Sequence, residues 1–164
     1  MSLPEFNAAP EDVASELLTA CCDVPAWVDA VRDARPYDDV PGALAVADTA
    51  ARSFSPDEVS RALAAHPRIG EKAAGSGTEA AWSAQEQSGV SRDVETKVAL
   101  AEANQAYEQR FDRVFLICAS GLSADEILAS VRSRLHNDDA TEDAVVANEL
   151  RKIALLRLER LLDS

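Results

Sequence analysis

The sequence has few residues that could bind a metal or form disulfides. It contains two histidines, His66 and His136, and three cysteines, Cys21, Cys22 and Cys118. The histidines stand far apart, and the cysteines, odd in number, lack the spacing of a metal site. We therefore expect no metal site, and three small, at least half-buried thiols in a reducing compartment.

Cations and long apolar runs are also scarce. Sixteen Lys and Arg against 29 Asp and Glu give a formal net charge of −13, which argues against nucleic acid or an anionic membrane as partner. No apolar run reaches the roughly 18 residues of a membrane helix. Residues 1–6 do not resemble a secretory signal, and residues 162–164 are not a peroxisomal signal. We therefore expect a cytoplasmic protein.

Helical periodicity dominates what is present. Apolar residues recur at helical spacing, capping boxes begin at Ser55 and Ser123, and no long stretch alternates with period two. Only Val114 to Cys118 could form a lone strand. The sequence predicts an all-α fold, a single compact domain of about eight helices over residues 1–164. The predicted helices begin at or just after Pro10, Pro25, Gly42, Pro56, Thr78, Ser91, Ser123 and Thr141.

The sequence also predicts how two later segments, the helix from Ser91 and the stretch that follows it, are arranged. In the helix predicted from Ser91, one side should carry Val94, Val98, Ala101 and Tyr107. The mostly apolar stretch from Phe111 to Ala119 could be a last buried turn or an extended strip.

His66 lies where the helix from Pro56 should end, because the residue before a proline avoids the helical region. One interpretation is a helix cap whose imidazole binds the last carbonyls. The other is a general acid or base. A helix C-terminus and a nearby carboxylate both raise the pKa of an imidazole, which starts at about 6.5. Both interpretations stay open at this stage.

Glu86 lies in the short helix predicted from Thr78. Ser83, Glu86 and Gln87 lie on neighbouring faces of that helix and could form one polar wall. They could equally be an exposed helix end, although Trp82 indicates that one face is buried. If the fold brings Glu86 to His66, the two side chains make a proton-transfer pair.

Arg157 stands among leucines in the last predicted helix. It is either a surface residue with a buried stem or a bidentate clamp for a carboxylate. Other candidate anion binders are Arg68, Lys72 and Arg134.

Motifs that occur in a fixed order run along nearly the whole chain. They are His66-Pro67-Arg68-Ile69-Gly70, Ser83-x-x-Glu86-Gln87-Ser88-Gly89, Asn104-x-x-Tyr107-x-x-x-Phe111, Phe115-Leu116-Ile117-Cys118, Arg134-Leu135-x-Asn137 and Lys152-Ile153-x-x-x-Arg157-Leu158. This ordered set resembles the OHCU decarboxylase family, whose members act on 2-oxo-4-hydroxy-4-carboxy-5-ureidoimidazoline (OHCU). One departure is Phe111-Asp112, where family members often have Phe-Gly.

The resemblance implies an all-helical, usually homodimeric enzyme that converts OHCU, formed from urate by way of 5-hydroxyisourate, into (S)-allantoin and CO2. It implies catalytic roles for His66, Glu86 and Arg157, with Arg151 and Arg160 as neighbouring alternatives for the last. OHCU has a C=N bond beside the carbon that loses CO2, so no metal or cofactor is expected. The implied substrate contacts are Pro67, Ser83, Gln87 and main-chain groups of Phe115, Leu116, Ile117, Cys118 and Ala119.

Two other functions remain open from the sequence. One is a non-catalytic helical interaction module that uses its acidic surface. The other is a different enzyme of ureide metabolism, such as a ring hydrolase. Analysis of the product separates them, because a decarboxylase releases CO2 and a hydrolase opens the ring.

Overall fold

The structure, a computed structural model, describes residues 1–67, 82 and 94–163. Within these ranges the chain forms eight helices and no strand, which confirms the predicted all-α fold. The helices are α1 (Leu3–Ala8), α2 (Glu11–Cys21), α3 (Pro25–Asp33), α4 (Val40–Ala51), α5 (Pro56–Leu63), α6 (Val94–Phe111), α7 (Ala124–Arg134) and α8 (Asp139–Leu162).

Side-chain caps fix the starts of several helices. Both predicted capping boxes are present: Ser55 caps α5 and Ser123 caps α7, each accepting the N–H of a glutamate three residues later. Helix α4 begins earlier than the predicted Gly42, because Asp39 accepts the Gly42 N–H at 2.8 Å. Helix α1, which was not predicted, begins with a similar box in which the Ser2 N–H donates to Glu5 at 2.7 Å.

The chain divides into two compact units. The first comprises residues 1–65 and 147–164. In its core α3 packs against α2 and α4. Trp27 is 1% exposed, and its indole N–H donates to the Ala47 carbonyl at 3.0 Å. From α8, Leu150 and Leu158 are fully buried. The assignment of residues 1–164 to one domain stays a prediction.

The second unit comprises residues 66–146. Its core lies where α6 packs on α7, around Leu100, Tyr107, Phe115, Ile127 and Val131. The rings of Tyr107 and Phe115 meet edge to face with their centroids 5.2 Å apart. This arrangement is a favourable one for two aromatic rings.

The predicted buried side of α6 is wrong in part. Val94 is 72% exposed and Val98 52% exposed, and Ala101 is exposed too, although Tyr107 is buried as expected. The face that packs on the core consists of Leu100, Ala103, Asn104 and Tyr107. These four follow the i, i+3, i+4, i+7 pattern of a helix with one buried stripe.

No helix in the described part of the chain is long and apolar enough to cross a membrane.

Candidate functional site

His66 follows the end of α5, which stops at Leu63. His66 and Pro67 are both half-buried. The predicted partners Ser83, Glu86 and Gln87 lie outside the described residues. Trp82, four positions before Glu86, is helical and half-buried. The meeting of His66 with Glu86 stays a prediction.

The segment Val114–Ala119 joins the end of α6 to the turn before α7 and has no regular secondary structure. We call Phe115–Ala119 the binding strip, because the resemblance assigns its main chain to substrate. All of its side chains are buried except Cys118, which is half-buried. A turn follows, in which the Leu122 N–H donates to the Ala119 carbonyl at 3.0 Å.

The backbone conformation of Asp112 shows how aspartate can stand where family members often have glycine, at the entrance to this segment. Its φ angle is 56°, in the left-handed region that glycine adopts without cost. Aspartate is among the few other residues that enter this region with some frequency. The chain therefore makes here the kind of turn for which glycine is the usual residue.

A buried polar cluster contacts the binding strip. It consists of Tyr107, Arg134, Asn137 and Glu142, and we call it the Glu142 cluster. Arg134 Nε donates to Glu142 Oε1 at 2.8 Å, and Tyr107 Oη donates to the same oxygen at 2.6 Å. Asn137 Nδ2 donates to Glu142 Oε2 at 3.0 Å. Arg134 Nη1 donates to the main-chain oxygen of Leu116 at 2.7 Å, so the cluster is tied to the strip.

The electrostatics of this cluster favour an ion pair. Burial by itself would raise the pKa of the Glu142 carboxyl, but the hydrogen bonds from Arg134, Tyr107 and Asn137 outweigh it and hold that pKa below its usual value. Burial, with the bond to Glu142, raises the pKa of the Tyr107 hydroxyl to about 12. Near neutral pH, Glu142 is therefore ionised and Tyr107 keeps its proton.

Sequence reasoning did not identify Glu142. Its partners appeared only as parts of separate motifs, and Arg134 only as one of several candidate anion binders. The structure shows that Arg134 binds an internal carboxylate. The other two cationic alternatives, Arg68 and Lys72, lie outside the described residues.

Arg157 is 1% exposed, so its interpretation as a surface residue is wrong. Its Nη1 donates to the main-chain oxygen of Ala20 at 3.2 Å. The neighbouring Arg151 differs, because it is partly exposed and forms an ion pair with Asp48. Arg157 is therefore the interior cation of the two. Its role toward substrate stays a prediction.

Among residues 1–67, 82 and 94–163, no group of three or more His, Cys, Asp or Glu side chains is placed to hold a metal ion. The three cysteines form no disulfide; Cys21 and Cys22 are buried and Cys118 is half-buried.

The sequence model of the OHCU decarboxylase family matches residues 7–159. The chain belongs to the OHCU decarboxylase family. The match takes in both compact units and every position singled out above, from His66 to Arg157.

Named relatives agree with this membership. A 2-oxo-4-hydroxy-4-carboxy-5-ureidoimidazoline decarboxylase of Haloferax volcanii is 26% identical over 161 residues, which cover 96% of this chain and 94% of the relative. The uric acid degradation bifunctional protein TTL of Arabidopsis thaliana is 35% identical over 104 residues, which cover 61% of this chain and 32% of that longer protein. This chain thus matches about a third of the Arabidopsis protein.

Two solved structures share the fold. A crystal structure of OHCU decarboxylase in the presence of (S)-allantoin superposes with a TM-score of 0.75 at 24% identity, over 95% of this chain and all of that one. A crystal structure of (S)-allantoin synthase superposes with a TM-score of 0.73 at 16% identity, over all of this chain and 55% of the other. At these identities the likeness establishes the OHCU decarboxylase fold.

Proposed function

We propose that this member of the OHCU decarboxylase family converts OHCU into (S)-allantoin and CO2 without a metal or cofactor. The observation that carries the proposal is the family match over residues 7–159. The Haloferax relative, which is named as an OHCU decarboxylase, supports the decarboxylation, and the match covers 94% of that relative. The reaction makes the protein a carboxy-lyase of urate degradation.

The electron balance of the reaction requires no external electron sink. When the bond to the carboxylate breaks and CO2 leaves, its electron pair forms a C=C bond to the neighbouring ring carbon. The pair of the former C=N bond passes to the ring nitrogen, which takes up a proton. The hydroxyl then loses its proton and becomes the ring carbonyl. A proton is added to the neighbouring carbon that bears the ureido group. Delivery of this proton to one face sets the S configuration.

His66 is the proposed carrier of these protons. A general acid or base needs a position that is sheltered yet open to substrate, and half-burial just beyond the end of α5 suits that need. Glu86 would fix the tautomer of the imidazole and stabilise its charged form. Pro67, Ser83 and Gln87 would contact the substrate, as the resemblance implies.

Arg157 is proposed to bind the substrate carboxylate. An interior guanidinium offers a planar fork that matches a carboxylate, and the Ala20 carbonyl orients that fork from one side. The main chain of the binding strip would hold the ring amides. Donors that are already in place contribute more to catalysis than donors that must be ordered during the reaction.

The chirality of the product tests the proposed function. Urate oxidase and hydroxyisourate hydrolase generate OHCU in solution, and circular dichroism then follows allantoin. We expect rapid formation of the S enantiomer with this protein and slow formation of racemic allantoin without it. An unchanged rate and a racemic product would overturn the proposal. Opening of the ring without release of CO2 would replace it with a hydrolase.

We also propose that the protein is a cytoplasmic homodimer. The resemblance to a usually dimeric family supports the dimer, and three cysteines that form no disulfide suit a reducing compartment. Light scattering on a sizing column should give twice the 17.5 kDa mass of one chain. A mass equal to one chain at micromolar concentration would exclude the dimer.

A further inference from the structure

One side-chain contact fixes the middle of the binding strip. The strip has no helix or strand to orient its peptide groups. At its second residue, the Leu116 carbonyl accepts a hydrogen bond of 2.7 Å from the buried Arg134 guanidinium. The orientation of the peptide between Leu116 and Ile117 is therefore set by a charged side chain from α7.

The geometry of the peptide group extends this effect to Ile117. The Leu116 carbonyl and the Ile117 N–H belong to one planar peptide, in which the two groups point in opposite directions. Because the carbonyl faces the guanidinium, the Ile117 N–H is directed away from it. A donor is thus presented on the side of the strip opposite the Glu142 cluster.

Arg134 is itself held on several sides. Its side chain is 9% exposed, and the Glu142 carboxylate that it contacts is fully buried. Its guanidinium carbon lies 4.4 Å from the centroid of the Phe115 ring, within the range of a cation–π contact. Tyr107 donates to the same oxygen of that carboxylate as Arg134, and Asn137 donates to the other oxygen. A planar fork fixed in this way has little freedom to release the Leu116 carbonyl.

We propose that Arg134 is a positioning residue that orients the Leu116–Ile117 peptide so that the Ile117 N–H binds substrate. The inference rests on the proposed function, in which the strip contacts OHCU. Arg134 does not touch the substrate and acts through the main chain alone. Its effect should therefore fall on substrate affinity.

The test compares the same arginine-to-lysine substitution at two positions of the second unit. Arg134→Lys keeps the charge, but a single ammonium cannot reproduce the fork that reaches both Glu142 and Leu116. Arg110→Lys is the matched control. Arg110 also joins a carboxylate, Asp139 at 3.0 Å, to a main-chain oxygen, that of Asn137 at 3.2 Å, but it does not contact the strip.

We expect Arg134→Lys to raise KM for OHCU about tenfold, the size of one lost hydrogen bond, with kcat within about threefold. The Ile117 amide signal in a ¹H–¹⁵N spectrum should shift in the same variant. Arg110→Lys should change neither quantity. A folded Arg134→Lys protein with wild-type KM, even if it melts earlier, would overturn the proposal and leave Arg134 with a structural role only.

A second measurement uses the wild-type protein and so does not depend on the folding of a variant. Titration with (S)-allantoin should move the Ile117 amide signal, and an unmoved signal at saturation would overturn the proposal. Failure of the proposed function has a different signature, because allantoin would then form from OHCU at the uncatalysed rate and as a racemate in the presence of the wild-type protein.

Discussion

Arg157 Nη1 donates a hydrogen bond to the main-chain oxygen of Ala20, 3.2 Å away, although the two residues are 137 positions apart in the chain. The contact joins α8 to the last turn of α2 within the first unit. Because the Arg157 side chain is 1% exposed, its replacement removes buried packing as well as the proposed contact with substrate. Substitution should therefore change both properties.

Arg157→Ala should raise KM for OHCU at least tenfold, because the proposed partner of the substrate carboxylate is lost. It should also lower the free energy of unfolding by about 2–4 kcal/mol, since a large buried side chain is removed. Steady-state kinetics and urea unfolding measure the two effects.

Arg151→Ala, on the same helix, is the control. Its ion pair with Asp48 is partly exposed, so it should cost at most about 1 kcal/mol and leave KM unchanged. A wild-type KM in Arg157→Ala would exclude the carboxylate role.

His66→Asn should lower kcat about 10²–10⁴-fold, the usual contribution of a positioned acid or base. The helical circular dichroism spectrum should stay the same, because His66 lies beyond the end of α5. His136→Asn makes the same change at the exposed second histidine and should be fully active. If the two variants turned over OHCU at equal rates, the assignment of His66 would be wrong.

Asp112 allows a test of backbone strain. At a φ of 56°, alanine pays the full cost of the left-handed region and glycine pays none. Asp112→Gly should therefore be about 1 kcal/mol more stable than Asp112→Ala, with the wild-type protein between them. Urea unfolding of the three proteins gives the order. Equal stability of the glycine and alanine variants would show that the turn does not require this conformation.

The lowered pKa of Glu142 predicts a pH dependence of stability. A carboxyl whose pKa is lower in the folded state stabilises the fold above its unfolded value of about 4.5, and this contribution is lost as pH falls through the folded value. Glu142→Gln should thus cost about 3 kcal/mol at pH 7, because it leaves Arg134 without its charged partner.

The difference in unfolding free energy between wild type and Glu142→Gln should begin to shrink below about pH 4.5, as the carboxyl of the unfolded wild type takes up its proton. It should stop shrinking below the lower pKa of the folded state, where the folded carboxyl is neutral too. Glu102→Gln, at an exposed position on α6, is the control and should change stability by less than about 0.5 kcal/mol at any pH. A constant difference down to pH 2 would show that ionisation of Glu142 does not stabilise the fold.

Local signals in the sequence predicted local structure well. Ser55 and Ser123 begin α5 and α7 because a capping box needs only residues three positions apart. The same rule would have found α1, whose box at Ser2 was overlooked. The buried side of α6 was harder to predict, because valines and alanines lie on more than one face and only tertiary packing selects Leu100 and Tyr107.

The Glu142 cluster shows why part of the site could not be predicted. Tyr107, Arg134 and Glu142 lie on three different helices, and no spacing rule within one helix brings them together. The burial of Arg157 could not be predicted for a related reason, since an arginine among leucines is usually able to reach water. The pairing of His66 with Glu86 came from the chemistry of the two residues and from the family motifs, and it stays a prediction.

The antiparallel bridge between Ser2 and Asp163 brings the two extremities of the described chain side by side. A donor and an acceptor dye attached there would start in close proximity, and energy transfer would fall as soon as α1 or the end of α8 detached. Affinity tags attached near Ser2 or near Asp163 would likewise lie at neighbouring positions on the surface of the first unit. The protein could thus be immobilised by one edge, in a single defined orientation.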